Sequence, residues 1–284
     1  GQPEKVLERV LKNSDVDCVT VNTDYTPFSK QRDEKIAALC EKEGVAFRSH
    51  HDALLTPPGA VVTGGGTPFK VFTPFYKAAS ACPVARPKKM GKVSFAGDLL
   101  FDAQTGIAYD FVGAASDRPA DLFITPGRRA ALAMLKKLDR LVTYEKEPDI
   151  PANESGTSHL SAHNKFGTVS IREVYWAIQE NLGVAGAPLI RSLYWRDFFT
   201  HVLAAKPTVL GHAYQERFEH VVWENNEEKF AAWCEGRTGF PIVDAGMRQL
   251  NQTGFMHNRV RMIAASFLVK DLHIDWRWGE RYFA

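Results

Sequence analysis

Three side chains near the end of the chain are spaced to act on one ligand. A helix that begins near Met256 presents Asn258, Arg261 and Met262 at positions i, i+3 and i+4, on one side. An amide donates and accepts hydrogen bonds, and a guanidinium carries a fixed positive charge. The set suits a planar, anionic ligand. The alternative is a buried arginine paired with a carboxylate, with the asparagine as a local cap.

A cluster of small hydroxyl residues lies further upstream. Thr157, Ser158 and Ser161 follow Gly156 closely, and Tyr144 precedes them. Hydroxyls and backbone N–H groups at a loop or helix start suit phosphate oxygens. The alternative is an ordinary N-cap before a helix.

Aromatic and basic residues are interleaved in the segment 191–199. Trp195, Phe198 and Phe199 share one face of a helix, and Arg196 lies between them in sequence. Such a face can stack on bases while arginines neutralise phosphates. The alternative is a buried aromatic stripe in which Arg196 pairs with Asp197.

Composition bounds the protein class. The chain has 284 residues, 45% hydrophobic and 24% charged, with a net charge of +2, which is typical of a globular protein of one large or two ordinary domains. Its four cysteines are scattered, so neither a disulfide framework nor a zinc site is expected. No histidine–carboxylate cluster has metal-ligand spacing. We see no secretion signal and no membrane-length apolar run, and therefore expect a cytoplasmic protein.

Hydrophobic periodicity predicts two structural regions. Helix 4–12, strand 18–22, helix 31–43 and strand 45–49 alternate as in a parallel α/β sheet. A connector rich in proline and glycine follows, with a turn rather than a phosphate loop at 64–66. The rest is helical: Thr125 caps a helix with Pro126 at its first position, and later helices are predicted at 170–182, 188–204, 227–235, 241–252 and 256–273.

Three segments together resemble the DNA photolyase/cryptochrome family: GTSHLSAHNKFGTVSIREV, LIRSLYWRDFF and TGFPIVDAGMRQLNQTGFMHNRVRM. The form MHNR is most similar to the microbial, class I cyclobutane pyrimidine dimer photolyases. The resemblance implies a partial α/β antenna domain at 1–75, a connector at 76–125 and an all-α FAD-binding domain at 126–284. It also implies that the chain is incomplete at both ends, without the family's first strands and its last segment.

The resemblance implies a blue-light-driven, FAD-dependent electron transfer that splits pyrimidine dimers. The alternatives are a cryptochrome-type blue-light photoreceptor or an inactive truncated remnant. The expected partner is DNA containing pyrimidine dimers. We expect a monomer that is associated with the nucleoid and not with a membrane.

Site residues follow from the resemblance position by position. The flavin-contacting positions are Tyr144, Thr157, Ser158, His159, Leu160, Ser161 and Arg261. The residues at the dimer and the flavin are Trp195, Asn258, Arg261 and Met262, and those that transfer electrons are Trp223 and Trp276. The DNA-facing positions are Ser192, Leu193, Tyr194, Trp195, Arg196, Asp197, Phe198, Phe199, Asn258, Arg259 and Val260. The apolar run 262–269 is expected to form a helix core beneath the flavin.

Some positions depart from the family pattern. Ser192 stands where a glutamate is usual, and Phe255 stands where a tryptophan is frequent. Phe28, Ser29 and Gly211 occupy the positions at which folate-type antennas are held. A folate antenna is therefore not expected, whereas a deazaflavin or no antenna remains open.

Overall fold

The computed structural model describes residues 2–88, 91–94, 122–145 and 149–284. The chain divides into two compact units. The first contains 1–117, 169–180 and 187–207, and the second contains 118–168, 181–186 and 208–284. Of the predicted connector 76–125, residues 89, 90 and 95–121 lie outside the described residues.

The first unit opens with a small parallel α/β motif. Its elements are α1 (Pro3–Asn13), β1 (Cys18–Asn22), α2 (Pro27–Lys42) and β2 (Ala46–His50). The two strands pair in parallel, with Cys18 opposite Ala46, as the predicted alternation requires. Helix α2 begins a turn earlier than predicted because Pro27 starts it and the Thr26 side chain accepts a hydrogen bond from the Ser29 N–H at 3.2 Å.

Helix packing completes the first unit. Helix α3 (Phe72–Ala79) packs against a long helix that we number α7 (Ala187–Ala205). Phe75 is fully buried there, with its ring 5.4 Å from that of Phe198 and 4.8 Å from that of His201. The predicted turn at 64–66 is confirmed, since the Gly66 N–H donates to the Thr63 carbonyl at 2.9 Å.

The second unit is helical. It contains α4 (Arg128–Leu135), α5 (Ser161–Lys165), α8 (Glu227–Cys234), α9 (Pro241–Thr253), α10 (Asn258–Lys270) and α11 (Trp276–Phe283). Helix α6 (Ile171–Leu182) belongs to the first unit except for its last two residues, which belong to the second. Trp233 is fully buried at the core, where its indole N–H donates to the Ala264 carbonyl at 3.0 Å. This tryptophan is core filler, as expected for an indole with a satisfied N–H.

Two further predicted helix starts were wrong. The first helix after the connector begins at Arg128 and is preceded by Gly127 with φ 97°, so Thr125 is not its cap. Helix α10 begins at Asn258 rather than near Met256, because the His257 side chain accepts a hydrogen bond from the Arg259 N–H at 3.2 Å and caps the helix.

Close contacts position α10 between its neighbours. Gly246 in α9 lies against Val260 so tightly that a Cβ atom there would come within 2.3 Å of the valine Cγ1. Gly279 in α11 does the same to Leu268, at 2.4 Å. Both glycines therefore allow helix axes to approach α10 more closely than any larger residue would.

The prediction that 262–269 forms a continuous core was wrong. Ala264, Phe267 and Leu268 are buried, but Met262 is 53% exposed and Ile263 is also exposed. The run is amphipathic, since one helix face packs into the second unit and the other faces outward. In the described part of the chain, no helix is both long and apolar enough to cross a bilayer.

Candidate functional site

The first turn of α10 gathers three predicted site residues. The Asn258 side-chain amide donates to the Met262 sulfur at 3.7 Å, and both side chains are exposed. Arg261 lies on the same side, half-buried. The predicted i, i+3, i+4 arrangement is therefore present, although the helix starts later than expected.

Arg261 carries a cation into a partly apolar environment. Its guanidinium carbon lies 4.9 Å from the centre of the Phe283 ring, and burial lowers the pKa of the guanidinium from its ordinary value. Among the described residues, no carboxylate forms a salt bridge with Arg261. The buried alternative, an arginine paired with a carboxylate, is not what this part of the chain contains.

Arg259, which follows Asn258 in α10, has an acidic partner. Its Nε and Nη2 atoms lie 3.1 Å and 2.5 Å from Oδ1 of Asp149. Its Nη1 atom is also 3.9 Å from the Met262 sulfur. The sequence predicts Arg259 as a DNA-facing position but does not identify its partner Asp149, which is 110 positions away.

Arg140 holds the hydroxyl-rich loop. Its two terminal nitrogens donate to the carbonyls of Ser155 and Thr157, at 2.6 Å and 2.9 Å. The Ser158 hydroxyl accepts a hydrogen bond from the Leu160 N–H at 3.4 Å. Leu160 is buried, so its side chain packs inside the unit, whereas Ser161 is exposed where α5 begins. Arg140 had no local signal in the sequence, because it acts on backbone atoms of a distant loop.

His159 joins this loop to the region that precedes α10. Its backbone is left-handed, with φ 54°, which histidine tolerates better than most residues. Its ring packs edge-on against Phe123 at 4.9 Å and against Phe255 at 5.3 Å. Phe123 and Phe255 stack on each other at 4.5 Å. The structure therefore brings the predicted loop 157–161 close to the start of α10.

The remaining predicted residues of the second unit are half-buried: Tyr144 in a turn, Trp223 in an irregular segment and Trp276 at a helix start. Tyr144 lies in a turn, where its N–H donates to the Leu141 carbonyl at 2.9 Å. Trp223 and Trp276 flank two chain segments that are hydrogen-bonded to each other. The Glu224 N–H donates to the His273 carbonyl at 2.9 Å, and the Asp275 N–H donates to the side chain of Asn225 at 2.8 Å. The arginine that follows Trp276 lies over its indole ring, 4.9 Å from the centre.

In the first unit, α7 presents an exposed aromatic face. The Trp195 ring is 40% exposed and stacks on Phe72, with the ring centres 3.6 Å apart. Phe199 is 62% exposed and lies 5.7 Å from Trp195. Ser192 is also exposed, and its hydroxyl donates to the Pro188 carbonyl of its own helix at 3.3 Å.

The predicted DNA-facing stretch divides between two faces of α7. Leu193, Tyr194, Asp197 and Phe198 are buried, and Val260 of α10 is buried as well. Side chains that are buried within the protein do not reach a DNA backbone. The prediction for these segments therefore narrows to the side chains that are exposed or half-exposed: Ser192, Trp195, Arg196, Phe199, Asn258 and Arg259.

Arg196 and Asp197 instead hold the loop that follows β2. Arg196 donates to the carbonyl of Ala53, and the Asp197 carboxylate accepts the Thr56 N–H at 2.8 Å. His201 Nε2 lies 2.8 Å from the Thr56 carbonyl. Burial raises the pKa of Asp197 to about 7, against the opposing effects of the Thr56 hydrogen bond and the Arg196 charge.

No candidate metal centre is found in the ranges that the structure describes, since they contain no group of three or more histidine, cysteine, aspartate or glutamate side chains placed to hold an ion.

Two family models match the chain. The model described as DNA photolyase matches residues 1–91, and the model described as the FAD binding domain of DNA photolyase matches residues 189–284. Among similar proteins, the deoxyribodipyrimidine photo-lyase of Vibrio cholerae is 39% identical over 98% of this chain. The deoxyribodipyrimidine photo-lyase of Escherichia coli is 36% identical over 98% of the chain.

Solved structures agree with these matches. An archaeal photolyase from Sulfolobus tokodaii, solved with two FAD molecules, is 41% identical over the whole chain, with a TM-score of 0.81. A Synechocystis cryptochrome is 25% identical, with a TM-score of 0.80. The chain spans 61% of the length of the Vibrio relative, 60% of the Escherichia relative, 60% of the Sulfolobus structure and 61% of the Synechocystis structure.

Proposed function

Because this chain belongs to the DNA photolyase family, we propose that it binds FAD and, in blue light, splits cyclobutane pyrimidine dimers in DNA. We further propose that it acts as a monomer on nucleoid DNA in the cytoplasm, with 1–75 as antenna domain, 76–125 as connector and 126–284 as FAD-binding domain. The observation that carries this proposal is the placement of Arg261, a half-buried cation on the same side of α10 as Asn258 and Met262.

The side chains of the second unit fit FAD. A flavin dinucleotide needs donors for its pyrophosphate and a cation near its ring, which carries negative charge when reduced. Thr157, Ser158 and Ser161 offer hydroxyl groups for the phosphates, and Arg261 offers the cation. Tyr144, His159 and Leu160 would complete the contacts, through backbone atoms in the case of the buried leucine. When bound, reduced FAD supplies on illumination the electron that opens the dimer, and takes it back afterwards.

The residues of this chain would bind and orient the damaged bases. A dimer is already poorly stacked, so turning it out of the duplex costs less than for intact bases. Trp195 exposes an aromatic ring for it, and Asn258 offers both a donor and an acceptor. Met262 lines the same helix face with an apolar, polarisable group. Trp223 and Trp276 would pass electrons from the surface to the flavin.

We expect the purified 284-residue chain, mixed with FAD and desalted, to keep structured flavin absorption between about 350 and 500 nm. After chemical reduction it should restore a dimer-containing oligonucleotide to intact thymines under blue light and not in the dark. Product is measured by chromatography of the oligonucleotide. Free reduced FAD at the same concentration is the control. Retained flavin with an unchanged dimer in the light would refute the proposed activity.

Ser192 favours a second candidate, a cryptochrome-type photoreceptor. Its hydroxyl bonds to its own helix, and it carries no charge with which to hold a dimer as a glutamate would. In that case light changes the flavin spectrum while the dimer stays intact. Replacement Ser192→Glu separates the two candidates, because it should increase the repair rate only if dimer repair is the reaction.

We expect Arg261→Gln to weaken retention of the reduced flavin about 10-fold, because a charge-assisted interaction is replaced by a neutral one. The flavin midpoint potential should also fall, since the anionic reduced form loses its cation. Spectroelectrochemical titration measures the potential, and equilibrium dialysis measures retention. Lys270→Gln, which removes a charge from the exposed end of the same helix, is the matched control. Equal behaviour of the two variants would mean that Arg261 does not face the flavin.

A further inference from the structure

Asp149 holds the side chain of Arg259, a cation at one of the positions that the family resemblance predicts to face DNA. One carboxylate oxygen of Asp149 receives two hydrogen bonds from the guanidinium, at 2.5 Å and 3.1 Å. The pairing is therefore specific and not a loose proximity of charges. While this geometry persists, the edge of Arg259 formed by Nε and Nη2 is not available to a phosphate.

The pair is open to solvent. The Asp149 side chain is 64% exposed and that of Arg259 is 42% exposed. An exposed ion pair of this kind contributes little free energy, because water and salt screen it. A phosphate group can approach the same guanidinium and accept two parallel hydrogen bonds from one edge of its plane, which is a stronger arrangement than a single shared oxygen.

The same contact network reaches two other site residues. The Met262 sulfur is approached by Arg259 Nη1 at 3.9 Å and by the Asn258 amide at 3.7 Å. Movement of Arg259 away from Asp149 would leave Asn258 as the remaining donor to this sulfur. A phosphate that binds Arg259 would therefore also change the surroundings of Asn258, the residue proposed to hydrogen-bond the dimer.

We propose that Asp149 is an intramolecular competitor for DNA phosphate at Arg259. The aspartate holds the guanidinium in the free protein, and a phosphate of the bound strand displaces it. This inference rests on the proposed function, since it requires DNA as the ligand. Competition of this kind lowers the affinity for every DNA and reduces the salt dependence of binding, because one cation is already neutralised.

Other roles of Asp149 predict other effects of its removal on DNA affinity. If Asp149 served to position Arg259 for phosphate, its removal would weaken DNA binding. If the pair only stabilised the fold, its removal would lower the melting temperature and leave the affinity of the folded protein unchanged. The direction of the affinity change therefore separates the three roles.

The test is dark binding of a fluorescent, dimer-containing duplex, followed by anisotropy over a range of salt concentrations. We expect Asp149→Asn to tighten binding about 3-fold, the size expected for release of an exposed ion pair. The plot of log affinity against log salt should steepen by less than about 0.9, the value for a whole phosphate contact, because only in the parent does the displaced Asp149 carboxylate take up a counterion. Asp149→Ala should act in the same direction. Glu228→Gln, an equal change of charge on the exposed face of α8, is the control for bulk electrostatics.

A double-mutant cycle completes the test. If Asp149 acts through Arg259, then Asp149→Asn has no effect in a chain that also carries Arg259→Ala. Equal affinities of Asp149→Asn and Glu228→Gln, or a persistent effect in the Arg259→Ala background, would overturn the inference. So would a change confined to flavin retention, since the phosphate would then be the cofactor's. A parent chain that fails to bind the duplex at all would refute the proposed function itself, and with it the inference.

Discussion

A chain that carries Gly246→Ala is expected to lose about 2 kcal/mol of unfolding free energy, the usual size of an overpacking effect. The added methyl would lie 2.3 Å from Val260 Cγ1 and 3.6 Å from Met256, so α9 and α10 must separate. Because α10 carries Asn258, Arg261 and Met262, the separation also moves the proposed flavin and dimer contacts. Flavin retention should fall together with the stability measured by urea unfolding.

A second substitution tests the mechanism. Val260→Ala removes the methyl groups that the new side chain meets, so the double variant Gly246→Ala, Val260→Ala should recover part of the lost stability and flavin retention. Gly64→Ala is the matched control, because a Cβ atom there meets nothing within 4 Å. It should change stability by less than about 1 kcal/mol. If Gly246→Ala behaves like Gly64→Ala, the helix contact is not as tight as the structure has it.

Local signals in the sequence were sufficient to predict most elements. Strand 18–22 agrees with β1 residue for residue, and the helix predicted at 227–235 lies at Glu227–Cys234. Hydrophobic periodicity and caps act over a few residues, and they are visible in a single sequence. The three wrong helix starts lie where a competing cap exists: Thr26 for α2, Gly127 for α4 and His257 for α10.

Contacts between distant residues were not predictable in this way. From the sequence alone, Gly246 is only a residue of low helix propensity within a predicted helix. Its role becomes clear from its close contact with Val260. Arg140 holds the loop at Ser155, and Asp149 pairs with Arg259. No local spacing in the sequence connects either residue to its partner. The family resemblance predicts that all of the segment 192–199 faces DNA, yet tertiary packing buries one side of this helix. The family resemblance identified positions, and only packing determines which side chains remain accessible.

Asp197 carries the second large effect, which is a dependence of stability on pH. Its carboxyl group is fully buried, close to Arg196 and Tyr25, and its pKa rises from the ordinary 3.8 to about 7 because burial disfavours the charged form. The folded state therefore binds more protons than the unfolded state between these values. Stability contributed by this group is full below about pH 4, falls as the pH rises, and levels off above about pH 7. The unfolded and folded states differ by at most one bound proton, so the free energy of unfolding changes by at most about 1.4 kcal/mol per pH unit.

Asp197→Asn should remove this slope, since an amide still accepts the hydrogen bond that the Thr56 N–H donates and does not ionise. Burial lowers the pKa of His201, which gives the parent an opposing trend at acidic pH, so the useful quantity is the difference between variant and parent. That difference should favour the variant increasingly from about pH 4 to about pH 7 and then stay constant. Urea unfolding across this range measures it, with the exposed Asp271→Asn as control. A difference independent of pH would mean that Asp197 is ionised throughout. The aspartate on α7, the helix that also carries Trp195, would then hold the loop after β2 as a permanently charged group.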